Sequence, residues 1–315
     1  MPDGEATKFE SALRALVARE RIEVILPWTD RDALALSAWG DHHYEGAALV
    51  CPRRSLVELA GDKWATNVGL RELGVPVPAA RVVTTGAGLR RAAGELGYPA
   101  RSLVLKPRSL SGARGVWSLR ADADAFAAGP LPQANVEAMA VLVDACRAHR
   151  TDSFILQEEV SGEDVSVDVL AAAGTVEMAV ARTRTATLGG LCIEGVVRPP
   201  TEAERAVVTR IVAGLGWSSL ANVQLRVGDA GPVVYEINAR ASGSIGISAL
   251  AGVDLLAAAI DQARGVTPVV AAASEAVRIE FRRHWQEQCW RAGGEELWGR
   301  QEGWCPWTST AFASS

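Results

Sequence analysis

Lysine is nearly missing from this chain. Its 315 residues carry 29 arginines and three lysines, Lys8, Lys63 and Lys106. Where arginine has taken over the generic positive charges, a retained lysine points to a need for a compact ammonium. Histidine is also scarce, and His42, His43, His149 and His284 form no HExxH or comparable zinc spacing. The five cysteines are odd in number and none lies in a CxxC, which reads as free thiols in a reducing compartment rather than a disulfide framework. No GxSxG lies at a strand-to-helix turn, so a serine hydrolase is unsupported. No apolar run approaches the roughly 18 residues that span a bilayer. The charged N-terminal stretch does not read as a secretory signal. A net charge of −5 argues against binding nucleic acid by bulk electrostatics.

What remains is 49% hydrophobic and 22% charged, enough for a sizeable core and about two domains. Residues 9–20 read as a helix, 22–27 as a strand ended by Pro27, 29–39 as a helix capped by Thr29 or Asp30, and 47–51 as a strand. That order suits a parallel sheet with a crossover helix. A helix follows over 62–74, opened by Asp62 and closed by Gly74, then the extended VPVP at 75–78. Further on come a strand at 81–85, a helix at 88–97, a strand at 102–107, a glycine-bearing loop at 109–116 and a helix at 136–150. The second half turns to strands. Residues 154–160 form one, and 163–185 form a hairpin about Gly174 with Asp164, Ser166 and Asp168 on one face. A capped helix at 201–216 precedes strands at 221–227 and 233–238, and a helix spans 253–265.

Chemistry concentrates in Asn222-Val-Gln224 and Tyr235-Glu236-Ile-Asn238-Ala-Arg240. Period two puts Glu236 and Asn238 on one face of their strand. A five-residue turn over 228–232 pairs Val227 with Val233 and sets Gln224 opposite Glu236. Three oxygen-bearing side chains, one anionic, then converge, which suits a hard cation such as Mg2+. Arg240 just beyond can hold an anion bidentately. Lys106 ends an apolar strand and precedes a loop of small residues whose N–H groups can approach phosphate oxygens. In isolation, E-x-N is also what a solvated sheet face looks like, and the loop what a surface turn looks like.

In order, these segments resemble the ATP-grasp ligases, closest to the carbamoyl phosphate synthetase large-subunit-like branch that includes the pyrrolysine-pathway ligase. The resemblance covers roughly 22–265. It rests on DK…LGVPVP at 62–78, VLKPRSLSGARGV at 104–116, LQEEVSGEDVSVDVL at 156–170, RTR at 182–184 and NVQ…YEINAR at 222–240. It implies an α+β fold in which two subdomains clasp ATP: an ATP-grasp domain over 61–270, with a lid subdomain over about 81–153 and a C-terminal subdomain over about 154–270. A truncated α/β pre-ATP-grasp domain would occupy 1–60, because only about 20 residues precede the IEVILP strand. A tryptophan-rich extension over 271–315, read as core packing or an oligomer interface, would follow.

The resemblance also implies roles. Lys63 and Lys106 would contact the nucleotide, Lys106 near the α-phosphate and adenine edge. Ser109, Ser111, Gly112 and Gly115 would belong to a mobile lid over the β- and γ-phosphates. Glu158, Glu159 and Val160 would form the adenine hinge, and Asp164 would hold the ribose. Gln224, Glu236 and Asn238 would bind Mg2+, for which Mn2+ could substitute, with Glu236 bridging two ions. Arg182, Arg184 and Arg240 would face an acyl phosphate. The implied activity is a cytoplasmic, ADP-forming ligase that joins a small carboxylate to an amine, without nucleic acid or membrane partners and with a homodimer as one assembly. Two alternatives stand beside it: carboxyphosphate formation from bicarbonate, and a nucleotide-binding subunit that needs a partner for activity.

Overall fold

The computed structural model describes residues 8–39, 43–109, 115–123, 132–148, 153–268, 278–285, 289–290 and 296–298. The first segment is α1 (Phe9–Glu20), β1 (Val24–Ile25), α2 (Asp30–Trp39), β2 (His43–Tyr44), β3 (Ala47–Leu49), α3 (Arg54–Gly61) and α4 (Lys63–Glu72). Spacing of four lets α1 bury Phe9, Leu13 and Val17 on one stripe. β1 pairs with β3 in parallel, as a strand-helix-strand order requires, and β2 returns antiparallel to β3. Thr29 is the cap of α2: its hydroxyl accepts from Asp32 N at 3.1 Å, and the Asp32 carboxylate accepts from Thr29 N at 3.3 Å.

The next segment is β4 (Ala80–Val83), α5 (Gly86–Glu95), β5 (Leu103–Pro107), β6 (Trp117–Leu119), β7 (Gln133–Ala134), α6 (Val136–Ala148) and β8 (Phe154–Glu158). It forms a sheet in the order β4-β8-β5-β6-β7. Leu89, Ala93, Met139 and Ala140 of its helices close one core with Leu103, Leu105 and Leu156. β8 pairs with both β4 and β5, so a subdomain division at 153/154 would cut this sheet.

The larger sheet draws on β9 (Glu163–Ala172), β10 (Thr175–Thr183), β11 (Ala186–Leu188), β12 (Leu191–Arg198), α7 (Glu202–Leu215), β13 (Ser219–Gly228), β14 (Gly231–Asn238), α8 (Gly246–Leu250), α9 (Leu255–Ala263) and β15 (Ile279–Arg282). Its order is β11-β12-β10-β9-β13-β14, with β15 also on β12. Residues 279–282 therefore belong to this sheet and not to a separate extension. β9 and β10 turn at Ala173 and Gly174, both at positive φ (46° and 82°), the two-residue hairpin that the sequence suggests. From Arg283 onward the chain forms a second compact unit, in which β16 (Cys289–Trp290) pairs antiparallel with β17 (Glu296–Trp298). Among the described residues no helix is long and apolar enough to cross a membrane.

α7 shows how tightly this part is fastened. Thr201 and Glu204 form a capping box, and Gly216 ends the helix in the left-handed region. The Glu204 carboxylate, fully buried, takes two bonds of 2.7 Å from Arg198. Burial alone would raise its pKa, but the Arg198 and Thr201 bonds outweigh burial and hold it below the usual range. The folded-state pKa is depressed, so this stabilisation is present above the ordinary carboxylate range and is lost as pH falls through the depressed value. Glu204→Ala removes the capping box and leaves the partly exposed Arg198 guanidinium with Glu163 at 3.7 Å and Pro199 O at 3.1 Å, and should cost about 1–3 kcal/mol, read as a lower midpoint in urea unfolding.

Candidate functional site

Side chains on one face of the larger sheet fall into cross-strand rows. Arg182, Ser166, Gln224 and Glu236 are successive partners across β10, β9, β13 and β14. Asp168, Asn222 and Asn238 form the next row. Gln224 does face Glu236, but by a different route from a five-residue turn. The strands turn tightly between paired Gly228 and Gly231, Val227 pairs with Pro232, and the register then shifts between Gln224 and Leu225. The extra residue is Tyr235. A bulge sets two consecutive residues of one strand against one on its partner, so Tyr235 and Glu236 both serve the site. The Tyr235 hydroxyl donates to Asp164 Oδ1 at 2.8 Å and accepts from Arg184 Nη1 at 3.1 Å. Burial pushes its pKa up, which keeps it a neutral donor.

The smaller sheet and α4 supply two lysines. Lys106, 4% exposed near the end of β5, reaches across so that its Nζ donates to the Tyr235 carbonyl at 3.2 Å and lies 5.6 Å from the Tyr235 ring centroid. Burial lowers its pKa to about 8, with Glu236 pulling it up and Lys63 pushing it down. Two of the three lysines thus share one electrostatic neighbourhood with the carboxylate of Glu236. Lys63 is placed there by Asp62, which caps α4 by accepting from Trp64 N and Ala65 N at 2.9 and 3.2 Å. Asp62 also accepts from Arg108 Nε at 2.7 Å, and Lys63 N donates to Arg108 O at 3.1 Å, so α4 is pinned to the end of β5.

Comparisons with known proteins bear on the fold that carries these residues. Residues 150–287 match the family described as ATP-grasp in the biosynthetic pathway with Ter operon. The chain is similar to the biotin carboxylase domain of Hydrogenobacter thermophilus 2-oxoglutarate carboxylase, solved with MgADP, ADP and bicarbonate (TM-score 0.64, 18% identity, 84% of this chain and 58% of that one). It is also similar to the ADP complex of PurK, N5-carboxyaminoimidazole ribonucleotide synthetase (TM-score 0.58, 20% identity, 76% and 59%). The chain has the ATP-grasp fold.

Among curated relatives, the uncharacterized protein y4rH of Sinorhizobium fredii is 29% identical over 266 residues, and this chain spans about half of it (75% of this chain, 52% of that protein). The formate-dependent phosphoribosylglycinamide formyltransferase of Chlorobium phaeobacteroides is 30% identical over 114 residues (36% and 28%).

On this ATP-grasp frame the expected residues divide into groups. Glu158 ends β8, an inner strand of the smaller sheet, and Glu159 and Val160 follow it. Glu158 accepts from Arg101 at 2.7 Å and from Ala79 N at 3.2 Å, and Glu159 accepts from Ser118 at 3.2 Å and Arg120 at 3.3 Å. Gly162, at φ +119°, fixes the following strap to β13, where a Cβ would come within 2.4 Å of Val227 O. Asp164 is shared by Tyr235 at 2.8 Å and, more distantly, by Arg184 and Arg226 at 3.9 and 3.6 Å. Ser109 and Gly115 are described, whereas Ser111, Gly112 and the rest of 110–114 lie outside the described residues.

The arginines differ most from expectation. Arg182 does not face an open site. It is 2% exposed, ion-paired with Asp168 at 2.9 Å and bonded to Ser242 and Ser244. The reason is Asp168, a fully buried carboxylate that needs a counter-charge. Arg240 is held by Asp30 at 2.7 Å, across from the N-terminal segment. Arg184 bonds Gln224 Oε1 at 2.9 Å and Gly190 O at 3.1 Å.

The donor set fits Mg2+. Gln224, Glu236 and Asn238 offer hard oxygens, and the Glu236 side chain forms no hydrogen bond or ion pair with another described residue. Among the described residues no cluster of three His, Cys, Asp or Glu exists, so these amides and one carboxylate suit a cation that also takes ligands from phosphates. Asp62, Arg108, Asp168, Asn222 and Tyr235 lie against these residues, although the sequence pattern assigns none of them a role in the site. Asp168 was visible on the polar face of its hairpin, whereas the placement of Tyr235 depends on a bulge that leaves no mark in the pattern.

Proposed function

We propose that this protein is an ATP-dependent ligase that activates a substrate carboxylate as an acyl phosphate for attack by an amine. The observation that carries this reading is the convergence of Lys106 and Lys63 from one side with Glu236, Gln224 and Asn238 from the other. In this reading Lys106 and Lys63 hold the triphosphate, and Glu158 to Val160 receive the adenine. Asp164 lies by the ribose. Gln224, Glu236 and Asn238 hold Mg2+, which would neutralise phosphate charge. Arg184 and Arg240 oppose the repulsion between the incoming carboxylate and the γ-phosphate.

The carboxylate oxygen bonds to the γ-phosphorus as the bond to ADP breaks. The amine then bonds to the acyl carbon, loses a proton and expels phosphate. Much of the acceleration would come from positioning, and residues 109–115 would exclude water from the intermediate.

The test is ADP release by the purified chain against panels of amino acids, small carboxylates and amines, with bicarbonate as one member. A carboxylate-amine pair that raises ADP release, with formation of the coupled product, is the expected result. Stimulation by bicarbonate alone would move the assignment to carboxyphosphate formation. Nucleotide binding with no stimulated release from any member would favour a subunit that needs a partner.

A further inference from the structure

The buried polar groups beneath the site form a chain with one direction. Asp168, ion-paired with Arg182 at 2.9 Å, is an acceptor only. Asn222, 1% exposed, therefore turns its NH2 toward it, donating to Asp168 Oδ1 at 2.7 Å and to Ser166 Oγ at 2.6 Å. That leaves the Asn222 carbonyl oxygen facing outward. It accepts from Gln224 Nε2 at 3.2 Å and from Asn238 Nδ2 at 3.3 Å. Both outer amides have thus committed their NH2 groups inward, and both present their oxygens away from Asn222. Those oxygens are met by cations: Gln224 Oε1 by Arg184 at 2.9 Å and Asn238 Oδ1 by Arg240 at 3.4 Å.

An amide can show either its oxygen or its NH2, and a metal accepts only the oxygen. We infer that Asn222, oriented by the Arg182–Asp168 pair, is a positioning residue that sets the amide orientation of Gln224 and Asn238 and so makes them competent to hold a divalent cation. This rests on the proposed assignment of those two residues to Mg2+. It gives a task to Arg182, which the reaction itself does not use, and it explains why an ion pair lies buried under the sheet face. Outer partners of this kind change metal affinity by about 10–100-fold when removed.

The test is the Mg2+ concentration that half-saturates binding of a non-hydrolysable ATP analogue, measured by calorimetry on wild type, Asn222→Ala and Glu236→Gln. Asn222→Ala should raise that concentration at least 10-fold while metal-free binding of the analogue is unchanged. Asn222→Ser, whose hydroxyl can still bond Asp168 but cannot reach both amides, should do the same and serves where the alanine variant fails to fold. In labelled wild type, the side-chain NH2 protons of Asn222 and Asn238 should exchange slowly with solvent. A shift below twofold in a folded Asn222 variant, or fast exchange of those protons, overturns the inference. If Glu236→Gln raises the Mg2+ requirement and Asn222→Ala does not, the metal assignment stands and only the positioning role falls. If neither does, the metal assignment itself falls.

Discussion

Glu236→Gln should reduce ADP formation by roughly 10²-fold or more, the scale of losing one preorganised electrostatic group at a phosphate-transfer site, while leaving the melting temperature near that of wild type. Glu236 is the one carboxylate among the three proposed metal-binding side chains, and it shares its surroundings with Lys106, Arg184 and Tyr235. Among the described residues it makes no hydrogen bond that the fold would miss, so the substitution separates chemistry from stability. A second effect should accompany it. Glu236 pulls the Lys106 pKa upward, so its neutralisation should move the Lys106 titration to lower pH. Turnover like that of wild type in a folded Glu236→Gln protein would remove Glu236 from the mechanism.

Lys106 should give the second large effect, and it should be visible in pH. Its pKa of about 8 lies below the ordinary lysine value of 10.5 because burial disfavours the ammonium. In that window the unfolded chain holds a proton the folded chain lacks, so the stability of the nucleotide-free protein should rise as pH increases from about 8 to 10.5. A triphosphate beside the ammonium reverses the preference. ATP binding above pH 8 should therefore take up a proton, seen as a binding enthalpy that varies with the ionisation enthalpy of the buffer. Lys106→Met should abolish the uptake. Lys106→Arg forces a larger planar group into a site closed by the Tyr235 ring and carbonyl, and an overpacking cost of about 1–3 kcal/mol borne by the nucleotide-bound state lowers ATP affinity roughly 5- to 150-fold at neutral pH. Unchanged affinity in the arginine variant would show that Lys106 does not touch the nucleotide.

How far the sequence carried these conclusions depended on whether local chemistry and tertiary structure agreed. α4 and α7 were legible because Asp62, Gly74, Thr201 and Gly216 stop and start them by capping. The β9–β10 hairpin was legible because alternation and an Ala-Gly turn coincide. α3 went unread since a single residue, Asp62, separates it from α4 and erases the boundary. β12 went unread for the opposite reason. Gly195 looks like a break in a strand, yet a Cβ there would lie 2.0 Å from Thr183 O, so glycine is what lets the strand pair. In the site, period two placed Glu236 and Asn238 on one face correctly, whereas Gln224 meets Glu236 because the bulge at Tyr235 offsets a turn tighter than the expected five residues. The roles of Tyr235 and Arg182 were not legible, because one depends on a bulge and the other on the burial of Asp168, a carboxylate on the adjacent strand β9.

The most direct measurement is a crystal structure of this protein with Mg2+ and a non-hydrolysable ATP analogue. The account predicts phosphates between Lys106 and Glu236, the metal on oxygens of Gln224, Glu236 and Asn238, and adenine against residues 158–160. A nucleotide bound elsewhere, such as in the groove between β3 and α9 lined by Arg53, Ser219 and Gln262, or a metal held without Glu236, would contradict it.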